Sequence, residues 1–194
     1  MTRFDEIRQL YDDHGFPFYD QKNALNLYGI RTGYEVVDLW NDILGMAFVD
    51  EFGNQVCIEH VGTTKPGLYW LKNRLGSVNG TFILMEGHFR HCFEVRKHKG
   101  EYDALCQVYG YKGFHGPRDN DSDGEFDLDT EWVNDVTGLN MHHGKDRQLV
   151  GPYSAACQVR QSPEDHAVLM AVARKCLDYW NAKKLSYSLF TISN

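Results

Sequence analysis

Thr137-Gly-Leu-Asn-Met-His-His-Gly144 and Val150-Gly-Pro-Tyr-Ser-Ala-Ala-Cys-Gln-Val-Arg160 are two short, strand-like runs, the first closed by paired histidines and the second carrying a serine and a cysteine. An ordinary thiol, with a pKa near ~8.5, is mostly protonated at neutral pH, so a reactive cysteine needs an imidazole or another cationic neighbour. Here His142 and His143 are candidate bases for Cys157. The small residues before the thiol would let a carbonyl approach the backbone, where the N–H groups of Ala156 and Cys157 are candidates for an oxyanion hole. Ser154 would orient the imidazole or hold the turn. In an alternating strand Asn140 and His142 face one way, and Met141 and His143 the other. The plain alternative is that the cysteine packs as a small hydrophobe and the His-His pair simply ends a strand.

The order histidine, spacer, Ser-x-x-Cys resembles the active-site signature of L,D-transpeptidases, the YkuD-like enzymes that act on peptidoglycan stem peptides. The chain departs from that signature in carrying Ala155 in the place of its histidine, Ala156 in the place of its glycine, and Val159 at its arginine position, with Arg160 one place further on. Its spacer is also shorter. A closer likeness is to a group of phage and bacterial proteins that share blocks such as Asn26-Leu-Tyr-Gly-Ile-Arg-Thr32, Pro66-Gly-Leu-Tyr-Trp70, Gly80-Thr-Phe-Ile-Leu84, Asn140-Met-His142 and Ser154-Ala-Ala-Cys157. That likeness covers nearly the whole chain. It implies one L,D-transpeptidase-like domain over 1–194, a β-sandwich, and cysteine peptidase or transpeptidase activity on cell-wall peptides. Within it His142 is preferred as the base, because it belongs to the shared block, and His143 stands second.

The length of 194 residues suits one domain with a substantial core. Its 42% hydrophobic and 24% charged residues are those of a globular protein, and no apolar run approaches the ~20 residues of a membrane span. The start, Met-Thr-Arg-Phe-Asp-Glu-Ile-Arg, has no apolar signal stretch. The expectation is therefore a cytoplasmic product that reaches the wall only when released or delivered, as a phage lysin helped by a holin or as a secreted toxin. Five cysteines, Cys57, Cys92, Cys106, Cys157 and Cys176, show no paired spacing, which argues against a disulfide framework or a zinc ribbon. A net charge of −7 argues against nucleic acid as a partner. Residues 119–135 hold eight acids and no Lys or Arg, so the rest of the chain sums to about +1.

Phe4, Ile7, Leu10 and Tyr11 recur at helical spacing, predicting a helix that ends at Gly15, within an N-terminal lead-in over 1–20. Short strands are expected over 25–32, 45–50, 55–60, 67–70, 80–85, 91–95 and 104–109. Arg31-Thr32 and Thr63-Thr64 stand at strand ends, and His88, Arg90, His91, Tyr109 and Tyr111 are candidates to line a cleft or a solvated sheet face. Ser162-Pro163-Glu164-Asp165 reads as a helix start, with an apolar stripe over 163–181 that places Cys176 in the core, and a last strand spans 185–192. The pattern is α+β: mainly antiparallel or mixed sheets, with an N-terminal and a C-terminal helix.

Within an acidic loop over 117–135, Asp119, Asp121, Asp123 and Asp127 take positions 1, 3, 5 and 9 of an EF-hand-like loop. Gly124 falls at the sharp turn, and Glu125 would offer its backbone carbonyl. The twelfth position is Thr130 rather than the usual glutamate, flanked by Asp129 and Glu131. Ca²⁺ is the ion such hard oxygen ligands select, and it would order the loop rather than perform chemistry. The alternative is an acidic, solvated hairpin tip. Two functions therefore compete: cysteine-dependent acyl transfer or hydrolysis on peptidoglycan stem peptides, and a noncatalytic, calcium-ordered interaction or structural module.

Overall fold

A computed structural model describes residues 1–34, 36–73 and 79–192. The first helix, α1 (Arg3–Asp13), is set by a capping box in which Thr2 and Asp5 satisfy each other's backbone N–H groups, and it buries Phe4, Ile7 and Tyr11. After it come β1 (Asn26–Arg31), β2 (Asp42–Val49) and β3 (Gln55–Thr63), then the short helix α2 (Leu68–Lys72). Next are β4 (Thr81–Phe82), β5 (Gly87–His98), β6 (Tyr102–Gln107) and β7 (Arg118–Asp119). The last part holds β8 (Met141–His143), a 3-10 turn at Gly151–Tyr153, β9 (Gln158–Arg160), α3 (Pro163–Tyr179) and β10 (Leu185–Thr191).

Eight strands close into a barrel in the order β1-β10-β5-β6-β8-β9-β3-β2, and β4 pairs with β7 in a separate two-stranded sheet. This corrects the β-sandwich expectation. Two parallel pairings are involved: β1 with β10, and β8 with β9. The closure is made by short strands. β8 meets β6 at Leu105↔Met141, and β9 meets β3 at Gly62↔Arg160 and Thr63↔Val159. Without those two three-residue strands β3 and β6 would be open edges, so the barrel depends on pairings between segments far apart in the chain.

The 67–70 segment is also corrected, from strand to helix. Gly67 donates its N–H to the Ser154 carbonyl (2.8 Å), Asp38 Oδ1 accepts the Leu68 N–H (2.9 Å), and Trp70 Nε1 donates to the Pro152 carbonyl (2.9 Å). With its polar groups taken up by these loops, the segment has no neighbouring strand to join. Of the expected 80–85 strand only Thr81–Phe82 pairs, and residues 74–78 lie outside the described residues.

Alternation divides the wall into two apolar faces. Leu27, Met46, Phe93, Leu105, Met141, Tyr187 and Leu189 cluster with Leu169, Met170, Ala173, Cys176 and Leu177 of α3, so that helix packs on the inner face. Ion pairs of Arg174 with Asp103 and of Lys175 with Glu51 (3.1 Å) hold it there. Tyr28, Ile30, Ala47 and Phe190 form the second cluster, under α1. No helix among the described residues is long and apolar enough to cross a membrane.

Among the described residues two arginines are fully buried. Arg31 is well met: Nε donates to Thr64 Oγ1 (2.9 Å), Nη2 donates to the Thr64 carbonyl (2.8 Å), and the guanidinium lies 4.9 Å from the centre of the Tyr34 ring. Arg160 is not. Its Nη2 donates to the Leu44 carbonyl at 3.3 Å, while Nε and Nη1 have no partner among the described residues.

Candidate functional site

The parallel register of β8 and β9 aligns Met141 with Gln158, His142 with Val159, and His143 with Arg160, so Cys157 lies level with Asn140. Met141 and Gln158 face inward: Met141 is in the core, and Gln158 Oε1 accepts from the Tyr187 hydroxyl (2.6 Å). By alternation Asn140, His142 and Cys157 share the opposite side of the wall. The Asn140 N–H points at Cys157 Sγ (3.4 Å), and the thiol in turn donates to the Gly138 carbonyl (3.6 Å).

The two proposed partners therefore sit on one side of adjacent strands, but their side chains engage other groups. The His142 ring stacks on His98, with centroids 4.2 Å apart, and its Nδ1 lies 3.1 Å from the His143 carbonyl. Burial, helped by the nearby His98, pushes the His142 pKa down to about 3. Burial also pushes the Cys157 thiol up to about 11, against the smaller opposing effects of the Asn140 N–H and Lys99. At rest the pair is a neutral thiol and a neutral imidazole, not a thiolate–imidazolium pair.

His143 joins the same group of rings through Tyr102, the cross-strand neighbour of His98. Its ring packs 4.2 Å from Tyr102 and 5.5 Å from His166, whose own pKa is pushed down to about 4, mainly by burial. Ser154 is buried and donates to the Cys157 carbonyl (2.8 Å), so it holds the turn and does not touch an imidazole. The Ala156 and Cys157 N–H groups carry no hydrogen bond among the described residues, as an oxyanion hole requires. Cys157 itself is part-exposed in a cleft of about 300 Å³, with Gly138 and Ala155 beside it, Trp70 in the wall, and the Arg118–Asp135 ion pair (2.7 Å) at its polar edge.

Sequence reasoning missed the ring cluster formed by His98, Tyr102, His142, His143 and His166. Its members come from β5, β6, β8 and α3, and no spacing in the chain connects them. Of the other candidates, His88 hydrogen-bonds Ser188 Oγ through Nδ1 (2.9 Å), Tyr109 is exposed, and Arg90 and His91 line a second cleft.

The acidic loop brings three of its carboxylates together. One oxygen each from buried Asp119, exposed Asp121 and half-buried Asp127 lie within 4.8 Å of one another, a grouping able to coordinate a metal ion. Burial, then the neighbouring aspartates, pushes Asp119 up to about 6 despite a hydrogen bond from the Asp127 N–H. Asp123 and Glu125 stand outside this group: Asp121 Oδ1 accepts the Asp123 N–H (3.0 Å), and Asp123 Oδ1 accepts the Glu125 N–H (2.7 Å). Gly124 takes the left-handed turn at φ +95°, packed closely on Lys72 of α2. The loop adjoins the thiol cleft through β7, since Arg118 lines the cleft and Asp119 next to it belongs to the carboxylate group.

Comparison of the chain with family models, with curated proteins and with solved structures finds no match. What defines the protein is thus its own architecture: a mixed eight-stranded barrel with a thiol cleft beside an acidic loop.

Proposed function

We propose that the Cys157 cleft is an acyl-transfer site, acting on amides of the peptidoglycan stem-peptide class that the sequence resemblance implies. The carrying observation is that a part-exposed thiol opens on a cleft in which unengaged backbone N–H groups stand beside it. In the reaction Cys157 Sγ bonds to the substrate carbonyl carbon, the C–N bond breaks, and the amine leaves with a proton. Water then resolves the thioester by hydrolysis, or a second amine resolves it by transpeptidation. The tetrahedral oxyanion would be received by the Ala156 and Cys157 N–H groups.

His142 is the base in this reading, because it is neutral and lies one strand over on the same side. Strands about 4.8 Å apart and a two-residue rise of about 6.6 Å separate the two backbones, a gap that side chains span. The ring would have to leave His98 to reach the sulfur, so activation is coupled to occupation of the cleft. Calcium, bound by Asp119, Asp121 and Asp127, would brace the loop that carries Arg118. The biological setting that fits is a phage lysin or a delivered wall-degrading toxin.

Mass spectrometry of purified muropeptides incubated with the protein tests the reading. Cleaved or exchanged stem peptides should appear with the native chain and vanish with Cys157→Ala. Unchanged muropeptides, or equal products from the variant, remove it. One observation favours a second reading, a noncatalytic calcium-ordered module: the sulfur is satisfied by Asn140 N–H and the Gly138 carbonyl, and its pKa is high.

A further inference from the structure

A second cleft, of about 410 Å³, lies at the C-terminal end of α3, between the segment leading into β1 and the β5–β10 pair. Asn23 forms part of its wall. The residue is fully buried, yet neither Oδ1 nor Nδ2 of its side chain has a hydrogen-bond partner among the described residues. Its backbone is fixed, with the N–H donating to the Val49 carbonyl (2.6 Å) and φ at 56°, in the left-handed region. A buried amide with donor and acceptor both unmet opposes folding, and native proteins retain few such groups.

Strain gathers at the same place. His91, on the opposite wall, also has a positive φ (52°), and the β5–β10 register shifts between Leu185 and Tyr187. Such an irregularity re-aims the side chains it carries, and here it sets Arg90 and His91 in the cleft wall. Lys184 adds another cation, and no acid lines the cleft, in a chain of net charge −7. Neither Arg90 nor Lys184 forms an ion pair with any described residue. The half-exposed Trp180, whose Nε1 donates to the Lys22 carbonyl (3.2 Å), supplies apolar surface beside the buried Leu185.

We infer that this cleft binds the C-terminal residue of a peptide, an N-acylated amino acid. The carboxylate sits between Arg90 and Lys184, the side chain lies on Trp180, and the acyl amide pairs reciprocally with the Asn23 amide, which binding must uncover because neither of its polar atoms reaches the surface in the free protein. Each part answers a feature of the wall: unpaired cations, an unpaired donor–acceptor group, and apolar surface.

Titration of the isotopically labelled full chain with N-acetylalanine, followed by NMR, tests the inference. The Asn23 side-chain amide should shift saturably. N-acetylalaninamide, which lacks the carboxylate, and propionate, which lacks the amide, should each bind at least about tenfold more weakly. The exposed pair Arg90→Gln and Lys184→Gln should lose at least about tenfold in affinity with an unchanged melting temperature. Asn23→Gly, which keeps the left-handed backbone, should lose a similar factor. If propionate binds as well as N-acetylalanine, the site is only a cationic patch and the inference falls. Absence of a saturable shift at millimolar probe also overturns it. None of these residues lines the Cys157 cleft, so either result leaves the acyl-transfer reading standing.

Discussion

His98 and His142 stack face to face, their ring centroids 4.2 Å apart and their planes 22° from parallel. Two imidazoles so placed cannot both be charged at low cost, and burial works in the same direction. His98, His142, His143 and His166 all have lowered pKa values, His142 to about 3 and His166 to about 4. Lys99, Lys145 and Arg160 add to the effect, while Glu101, Asp146 and Glu164 oppose it in part.

Acid should therefore unfold the protein from this cluster. Unfolded histidines titrate near ~6.5, so the unfolded chain takes up protons that the native one refuses. The stabilising contribution is complete above about pH 6.5 and is lost as pH falls toward the folded values. By pH 5.5 His142 alone should cost on the order of 1 kcal/mol. Urea melts at pH 7.5 and 5.5 measure this, and His142→Phe, which keeps a stacking ring, should reduce the difference. Equal stability at both pH values would refute the prediction.

If Asp119, Asp121 and Asp127 hold calcium only in their folded arrangement, calcium at about a hundredfold its dissociation constant should raise the melting midpoint by roughly 5–10 °C. Asp119→Asn removes the buried ligand and should abolish the response. Asp123→Asn, outside the group, should retain it. Calorimetry with calcium and with chelator decides between these outcomes, and an unchanged midpoint in the native chain would rule the site out.

In the free protein Cys157 should be a slow thiol. With a pKa of about 11 its alkylation by iodoacetamide should rise roughly tenfold per pH unit across the neutral and mildly alkaline range. His98→Ala releases the His142 ring from its stack, and should speed labelling of Cys157 at pH 7 by about tenfold if that ring is the base. Peptide mapping of the labelled protein reads both rates. Fast labelling of the native chain at neutral pH would show that the imidazole already reaches the sulfur.

Arg160→Met should stabilise the barrel, by about 1–3 kcal/mol in a urea melt. The guanidinium is fully buried with a single hydrogen bond among the described residues, to the Leu44 carbonyl, and burial has pushed its pKa down to about 10. Methionine fills much of the same volume without the desolvation cost. A large loss of stability would mean that the arginine is better satisfied than its protein contacts indicate.

Local features carried much of this architecture in the sequence. The Thr2–Asp5 and Ser162–Pro163 signals start α1 and α3 where they stand, because a cap and an apolar stripe act within a few residues. Alternation correctly set His142 and Asn140 on one face, and the Asp-x-Asp-x-Asp-Gly pattern marked the loop whose carboxylates gather. Asp123 lies outside that group with its Oδ1 accepting the Glu125 N–H, while Asp121 makes the same kind of turn inside it, a difference that the pattern alone leaves open.

What the sequence by itself determined were α1 and α3, most of the strand segments, the facing of Asn140 and His142, and the acidic loop, all products of short-range periodicity. Only the tertiary structure decided that the sheet closes into a barrel, since closure rests on pairs such as Leu105↔Met141 and Thr63↔Val159 between segments whose local pattern suits a sandwich equally well. It alone decided that His142 stacks on His98 from β5 instead of meeting Cys157, and that Asn23 is buried without a partner. Those outcomes depend on which distant surfaces share one dry space, and burial and mutual repulsion, not residue identity, then set the charge of each group.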